Sequence, residues 1–151
     1  MSYSEKVDVK YVVILENDCA KIYIDYITKD NEIIRTTNAS DSFTPQMVER
    51  YKDVLLASKI ILAQLKVPKS VTEKLINFCY ENGKILILTP CRAHKLNINE
   101  ANNKDLLDKI TYITCNEKEC KKLFNTNNIE ECVTMYPNKL IVTLGPDGVA
   151  Y

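Results

Sequence analysis

The spacing of apolar residues changes repeatedly along the chain, and each spacing predicts a strand or a helix. Val9 to Glu16, Ala20 to Ile27 and Glu32 to Thr37 are rich in β-branched and aromatic residues, with polar turns at Asn17-Asp18 and Lys29 to Asn31. That pattern predicts an antiparallel meander at the N-terminal end. From Thr44-Pro45, a hydroxyl cap followed by a proline suited to the first helical position, Met47, Val48, Tyr51, Val54 and Leu55 recur at helical spacing and predict a core-facing helix. Lys59 to Leu65 is then a continuous apolar run of strand length, the kind expected of a strand covered on both faces.

The remaining segments alternate. Ser70-Val71-Thr72-Glu73 reads as a capping box, with Leu75, Ile76, Phe78 and Cys79 on one stripe and Gly83 as the stop. Lys84 to Leu88 predicts another buried strand. Lys104 to Lys109 predicts a short helix, Ile110 to Thr114 a strand, Glu117 to Phe124 and Ile129 to Tyr136 helices, and Leu140 to Leu144 a strand. Strands and helices alternating over short connections imply right-handed crossovers and a parallel sheet flanked by helices, so the expected class is α/β with antiparallel strands at the N-terminal end. Ligands of such sheets bind beyond the carboxyl ends of the strands. The segments to search are therefore Gln64 to Pro68, Thr89 to His94, Cys115 to Glu119 and Gly145 to Gly148.

Composition narrows the partners. A chain of 151 residues is long enough for one domain with a sizeable core. Twenty basic and twenty acidic residues cancel, which removes the electrostatic case for nucleic acid or an anionic membrane. No apolar run approaches a bilayer span, and Met1 to Lys10 is too polar for a secretory signal, so a soluble, cytoplasmic protein is expected. The six cysteines are expected to be reduced thiols, because this apolar content does not need disulfide staples. Cys115 and Cys120, with His94 as the sole imidazole, make a poor zinc set.

Two strand exits carry candidate chemistry. Asn116-Glu117-Lys118-Glu119 opens a predicted helix, where Asn116 and Glu119 suit a capping box; the same helix start can hold a phosphate on its amides, with a carboxylate supporting a hydrated magnesium ion. Thr143-Leu144-Gly145-Pro146-Asp147-Gly148 suits a type I turn leading into a returning strand at Val149. Alternatively, Gly145 and Gly148 let a nucleotide approach the backbone, with the Thr143 hydroxyl beside it. Neither segment is a P-loop, since no lysine follows a glycine-rich strand exit. Lys66 suits a solvated or a phosphate-facing ammonium, and His94 an ordinary loop position.

Taken in order, Gln64-Leu65-Lys66-Val67-Pro68, Thr89-Pro90-Cys91-Arg92-Ala93, Cys115-Asn116-Glu117-Lys118-Glu119 and Thr143-Leu144-Gly145-Pro146-Asp147-Gly148 resemble the middle of the ribokinase-like (PfkB) carbohydrate kinases. The family pattern there is Gln-Leu-Glu-x-Pro, Asn-Pro-Ala-x-Ala, Pro-Asn-Glu-x-Glu and Thr-x-Gly-x-x-Gly. The chain departs from it at Lys66, Thr89, Cys91-Arg92 and Cys115.

The resemblance implies phosphoryl transfer from ATP to a sugar or related alcohol, with magnesium. It implies that Asn116, Thr143, Gly145 and Gly148 serve the nucleotide, and that Glu119 supports the metal through water. It further implies a catalytic aspartate in a Gly-Ala-Gly-Asp motif, a sequence absent from these 151 residues. Residues 1–151 are thus expected to form the central part of one incomplete kinase domain, catalytically silent by itself. A truncated or degenerate binding module is the alternative expectation, and an exposed sheet edge invites self-association into a homo-oligomer.

Overall fold

The computed structural model describes residues 43–91 and 101–151, all of them within a compact unit spanning Ser40–Tyr151. The expected N-terminal meander, His94 and the end of the Thr89 to His94 exit lie outside the described residues. Helices α1 (Pro45–Arg50) and α2 (Lys52–Ala57) precede strand β1 (Ile60–Gln64), helix α3 (Lys69–Glu81) and strand β2 (Ile85–Thr89). Helix α4 (Ala101–Lys109), strand β3 (Tyr112–Asn116), helices α5 (Glu117–Phe124) and α6 (Ile129–Met135), and strands β4 (Leu140–Thr143) and β5 (Val149–Ala150) follow.

The five strands form one sheet in sequence order. β1 to β4 are parallel and β5 returns antiparallel to β4. The α/β expectation therefore holds, and the returning strand after Gly148 is present.

A sheet wound in sequence order by right-handed crossovers receives every crossover helix on the same face. Burial follows that rule. Ile61, Leu86, Leu88, Ile113, Cys115, Leu140 and Val142 are buried, and the pairings Ile61↔Leu86, Leu88↔Ile113, Ile113↔Leu140 and Cys115↔Val142 put them on one face. Ile76, Leu107, Ile110 and Leu123 complete this core from the helices and their connections. Each such side chain contributes about 1.5–3 kcal/mol on burial.

The opposite face is open among the described residues of this chain. Leu62 is 76% exposed, and Ile60, Ile85 and Tyr112 also reach solvent. Among the described residues, the buried core lies on the other side of the sheet.

Local signals explain most boundaries. Gly83, at φ 60°, ends α3 in a Schellman motif: its amide donates to the Tyr80 carbonyl and the Lys84 amide to the Cys79 carbonyl. The expected capping box at Ser70 is corrected. α3 begins two residues earlier than a cap at Ser70 would set, at Lys69, with Pro68 as its uncapped lead-in, which places Ser70 inside the first turn. The expected single helix after Thr44 is broken at Tyr51, whose φ of −104° and ψ of 19° separate two short helices, and Thr44 makes no side-chain cap.

Candidate functional site

The carboxyl ends of β1 to β4 form one edge, and register brings the candidate residues of β3 and β4 together. Asn116, the last residue of β3, pairs with Thr143, the last residue of β4. The two exits that the sequence singles out are therefore neighbours, about 4.8 Å apart in the sheet direction.

At the β3 exit the full capping box forms. Asn116 Oδ1 accepts the Glu119 amide at 2.9 Å, and Glu119 Oε2 accepts the Asn116 amide at 3.1 Å. This reciprocal pair fixes where α5 starts and leaves the Asn116 side-chain amide donor, together with the helix amino terminus, at the sheet edge. Glu117 is held by Lys121 at 2.6 Å. Its hydrogen bond to Lys121, with the charge of the same ammonium, lowers its carboxyl pKa, so it is ionised at neutral pH.

At the β4 exit, Gly145–Asp147 form a single 3₁₀ turn. The Gly148 amide donates to the Gly145 carbonyl at 3.2 Å, and the Leu144 amide donates to the Gly148 carbonyl at 2.8 Å, closing the turn onto β5. Gly145 sits at φ 64° and Gly148 at φ 90°. A Cβ at either would meet nothing within 4 Å, so the backbone conformation demands glycine while the space above the turn stays open. The Thr143 hydroxyl donates to the Cys115 carbonyl at 3.4 Å.

Three further polar residues share this edge: Gln64 and Thr89 open the first two strand-exit motifs, and Thr114 lies in none. Alternation puts Gln64, Thr89 and Thr114 on the same open face as Asn116 and Thr143, with Gln64 paired to Thr89. Thr89 and Thr114 hydroxyls are 2.9 Å apart and hydrogen-bonded to each other. The open face is thus apolar toward its amino end, at Ile60, Leu62, Ile85 and Tyr112, and uncharged but polar toward its carboxyl end. Lys66 follows Gln64 at the β1 exit and is half-buried.

The cysteines belong to the core instead. Cys115, Cys120 and Cys132 are buried, and all five described cysteines are free thiols. Contact with Cys115 together with burial raises the Cys120 thiol, and burial pushes Cys132 up to about 12. These side chains are neutral fillers. Among the described residues no group of three or more His, Cys, Asp or Glu is arranged to hold a metal ion. The acidic donors at the edge, Glu117 and Glu119, are suited to water-mediated contact with a cation that is itself bound to phosphate.

A sequentially wound parallel sheet whose carboxyl edge brings a capped helix start beside a glycine turn defines an α/β protein of the open-sheet class. The chain belongs to the pfkB family carbohydrate kinases, whose family model matches residues 3–151. It is 32% identical over 122 residues to a ribokinase of Lactococcus lactis subsp. lactis (strain IL1403), covering 81% of this chain and 39% of that protein. Against a ribokinase of Bacillus subtilis (strain 168) it is 30% identical over 122 residues, covering 40% of that protein.

Among solved structures, Arabidopsis thaliana ribokinase complexed with ribose and ATP matches at a TM-score of 0.61 and 23% identity, over 80% of this chain and 40% of that one. Giardia lamblia ribokinase matches at 0.58 and 15% identity, over 82% and 44% respectively. The fold is thus ribokinase-like, and the chain spans about two fifths of the length of the curated relatives it matches.

Proposed function

We propose that this chain is the nucleotide-binding part of an ATP-dependent kinase that transfers the γ-phosphoryl group to a sugar or related alcohol. The observation that carries this reading is the Asn116↔Thr143 pairing, which joins a capped helix start to an open glycine turn at one sheet edge in a member of a carbohydrate kinase family. In this reading Thr143, Gly145 and Gly148 line the nucleotide, and the Asn116 amide donor and the α5 amino terminus meet its phosphates.

Magnesium fits for an electrostatic reason. Glu117 and Glu119 lie in the first turn of α5, and their charges oppose a polyphosphate unless a divalent cation lies between them. Glu119 keeps one carboxylate oxygen beyond its cap bond for a metal-bound water. When bound, the ion neutralises phosphate charge; the residues here orient the phosphates and hold the hydration shell.

These 151 residues contain no Gly-Ala-Gly-Asp sequence to supply the general base. Base catalysis contributes about 10²- to 10⁴-fold in rate, so the segment alone is catalytically silent in this reading. The free thiols of the described cysteines suit a reducing, cytoplasmic compartment. The test is calorimetry with magnesium-ATP on the full-length protein and on residues 1–151, together with phosphorylation assays on a panel of sugars and related alcohols. Nucleotide binding and turnover by the full-length protein are expected. A full-length protein that neither binds ATP nor phosphorylates any acceptor overturns the reading in favour of a non-catalytic module.

A further inference from the structure

The carboxyl edge has a discontinuity between β2 and β3. β1 pairs with β2 through five residue pairs and β3 with β4 through four, yet β2 and β3 register only at Ile87↔Tyr112 and Leu88↔Ile113. The ladder stops one step short of the carboxyl end of β2, and at that step the strands are joined by the Thr89 and Thr114 hydroxyls at 2.9 Å. Open parallel sheets bind ligands just beyond the carboxyl ends of their strands, and this pair lies at that edge. Both threonines are half-buried, so the pair is accessible from the open face.

The chemistry of the pair is specific. Two hydroxyls sharing one hydrogen bond leave one O–H uncommitted to the partner, and either oxygen can be the inner donor. The pair therefore presents a neutral donor, free to turn outward, one strand beyond the Asn116 exit. A nucleotide seated on the Gly145–Gly148 turn of β4, with its phosphates passing the α5 amino terminus at β3, ends its chain over β2.

We propose that the Thr89–Thr114 hydroxyl pair is a positioning site that donates a hydrogen bond to the terminal phosphoryl group of the bound nucleotide. The inference rests on the nucleotide reading above and deepens it: it assigns the direction of the phosphate chain along the sheet edge, from β4 toward β2. The pair would distinguish a nucleoside triphosphate from a diphosphate, because a diphosphate stops short of it.

The experiment is calorimetric titration of the full-length protein, its Thr89→Val/Thr114→Val double variant and its Thr89→Ser/Thr114→Ser double variant with magnesium-ATP and magnesium-ADP. Valine keeps the shape and removes the hydroxyl, and both positions are changed because either hydroxyl left alone still donates. The double valine variant is expected to weaken ATP binding about fivefold, the usual worth of one neutral hydrogen bond, and to leave ADP binding unchanged. The double serine variant is expected to keep the wild-type ratio of the two affinities. If the double valine variant melts too low to titrate, Thr89→Ala/Thr114→Ala makes the same comparison. A valine variant with the wild-type ATP-to-ADP ratio overturns the inference while leaving the nucleotide site standing. A wild-type protein that binds neither nucleotide overturns the site and the inference with it.

Discussion

Ile61 and Leu62 are adjacent on β1 and similar in chemistry, yet one is 8% exposed and the other 76%. The same contrast runs across the sheet: Leu86 against Ile85, and Ile113 against Tyr112. One face carries the helices and the core, while the other is open, apolar toward its amino end and polar toward the carboxyl edge. The difference teaches that the winding of the crossovers decides which face these described helices cover, which composition alone does not tell. It also isolates the chemistry, because the polar row from Gln64 to Thr143 shares no face with the packed core.

The sharpest way to break this comparison is to truncate one side chain from each face. Leu88→Ala, in the covered core, is expected to lower unfolding free energy by about 2–5 kcal/mol in urea denaturation, from lost transfer energy and the cavity left behind. Leu62→Ser, on the open face, is expected to change it by no more than about 0.5 kcal/mol. Equal losses would mean that the two faces are equivalent in solution.

How much of this was legible depends on the range of the forces involved. Asn116 and Glu119 could be read as a box from four residues, because both partners lie within one helical turn, and α5 begins and ends where that pattern says. Gly83 as a helix stop is equally local. Ser70 misled because a capping pattern does not reveal which of two nearby starts wins, and the fixed φ of Pro68 favours the earlier one. The break at Tyr51 has no Pro or Gly to announce it. Thr89 stands in a strand-exit motif, but its pairing with Thr114 exists only once β2 and β3 are set in register, a long-range fact that neither strand contains.

Gly148 tests the carboxyl edge more finely. At φ 90° and ψ −133° it occupies a region essentially restricted to glycine. Gly148→Ala is expected to cost about 1–3 kcal/mol through backbone strain alone, since nothing crowds the added methyl. Gly83→Asn, on the amino side of the sheet at φ 60°, should cost less because asparagine tolerates the left-handed region. Thermal melts of the two variants check the order, and a harmless Gly148→Ala would show that the turn at the β4 exit is not held as described.

The thiols sharpen the covered side. Burial pushes Cys79 up to about 11 and Cys132 up to about 12, from an ordinary value of 9.0. A raised thiol keeps its proton in the folded state after the unfolded chain has lost it, so the folded state binds more protons. Stability is then unaffected by these groups below about pH 9 and falls as pH rises from there toward 11 and 12. Each thiol contributes a slope of about 1.4 kcal/mol per pH unit in that window. Denaturation midpoints across the alkaline range should show a shallower decline for Cys79→Ala than for the wild type. An unchanged decline would place Cys79 outside the dry core.

The most informative change is expected at Asn116, where the structural and chemical roles of one residue can be separated. Asn116→Ala removes the acceptor for the Glu119 amide and should cost about 1 kcal/mol. Asn116→Asp keeps an oxygen in the same place and caps equally well, so its melting temperature should match the wild type. The aspartate, however, replaces a neutral amide donor with a negative charge at the helix start where the phosphates are proposed to sit, beside Glu117 and Glu119. Magnesium-ATP affinity of the full-length protein should therefore fall for Asn116→Asp despite its intact fold. If Asn116→Asp keeps both its stability and its ATP affinity, Asn116 is only a cap, and the phosphates pass the sheet edge somewhere other than the start of α5.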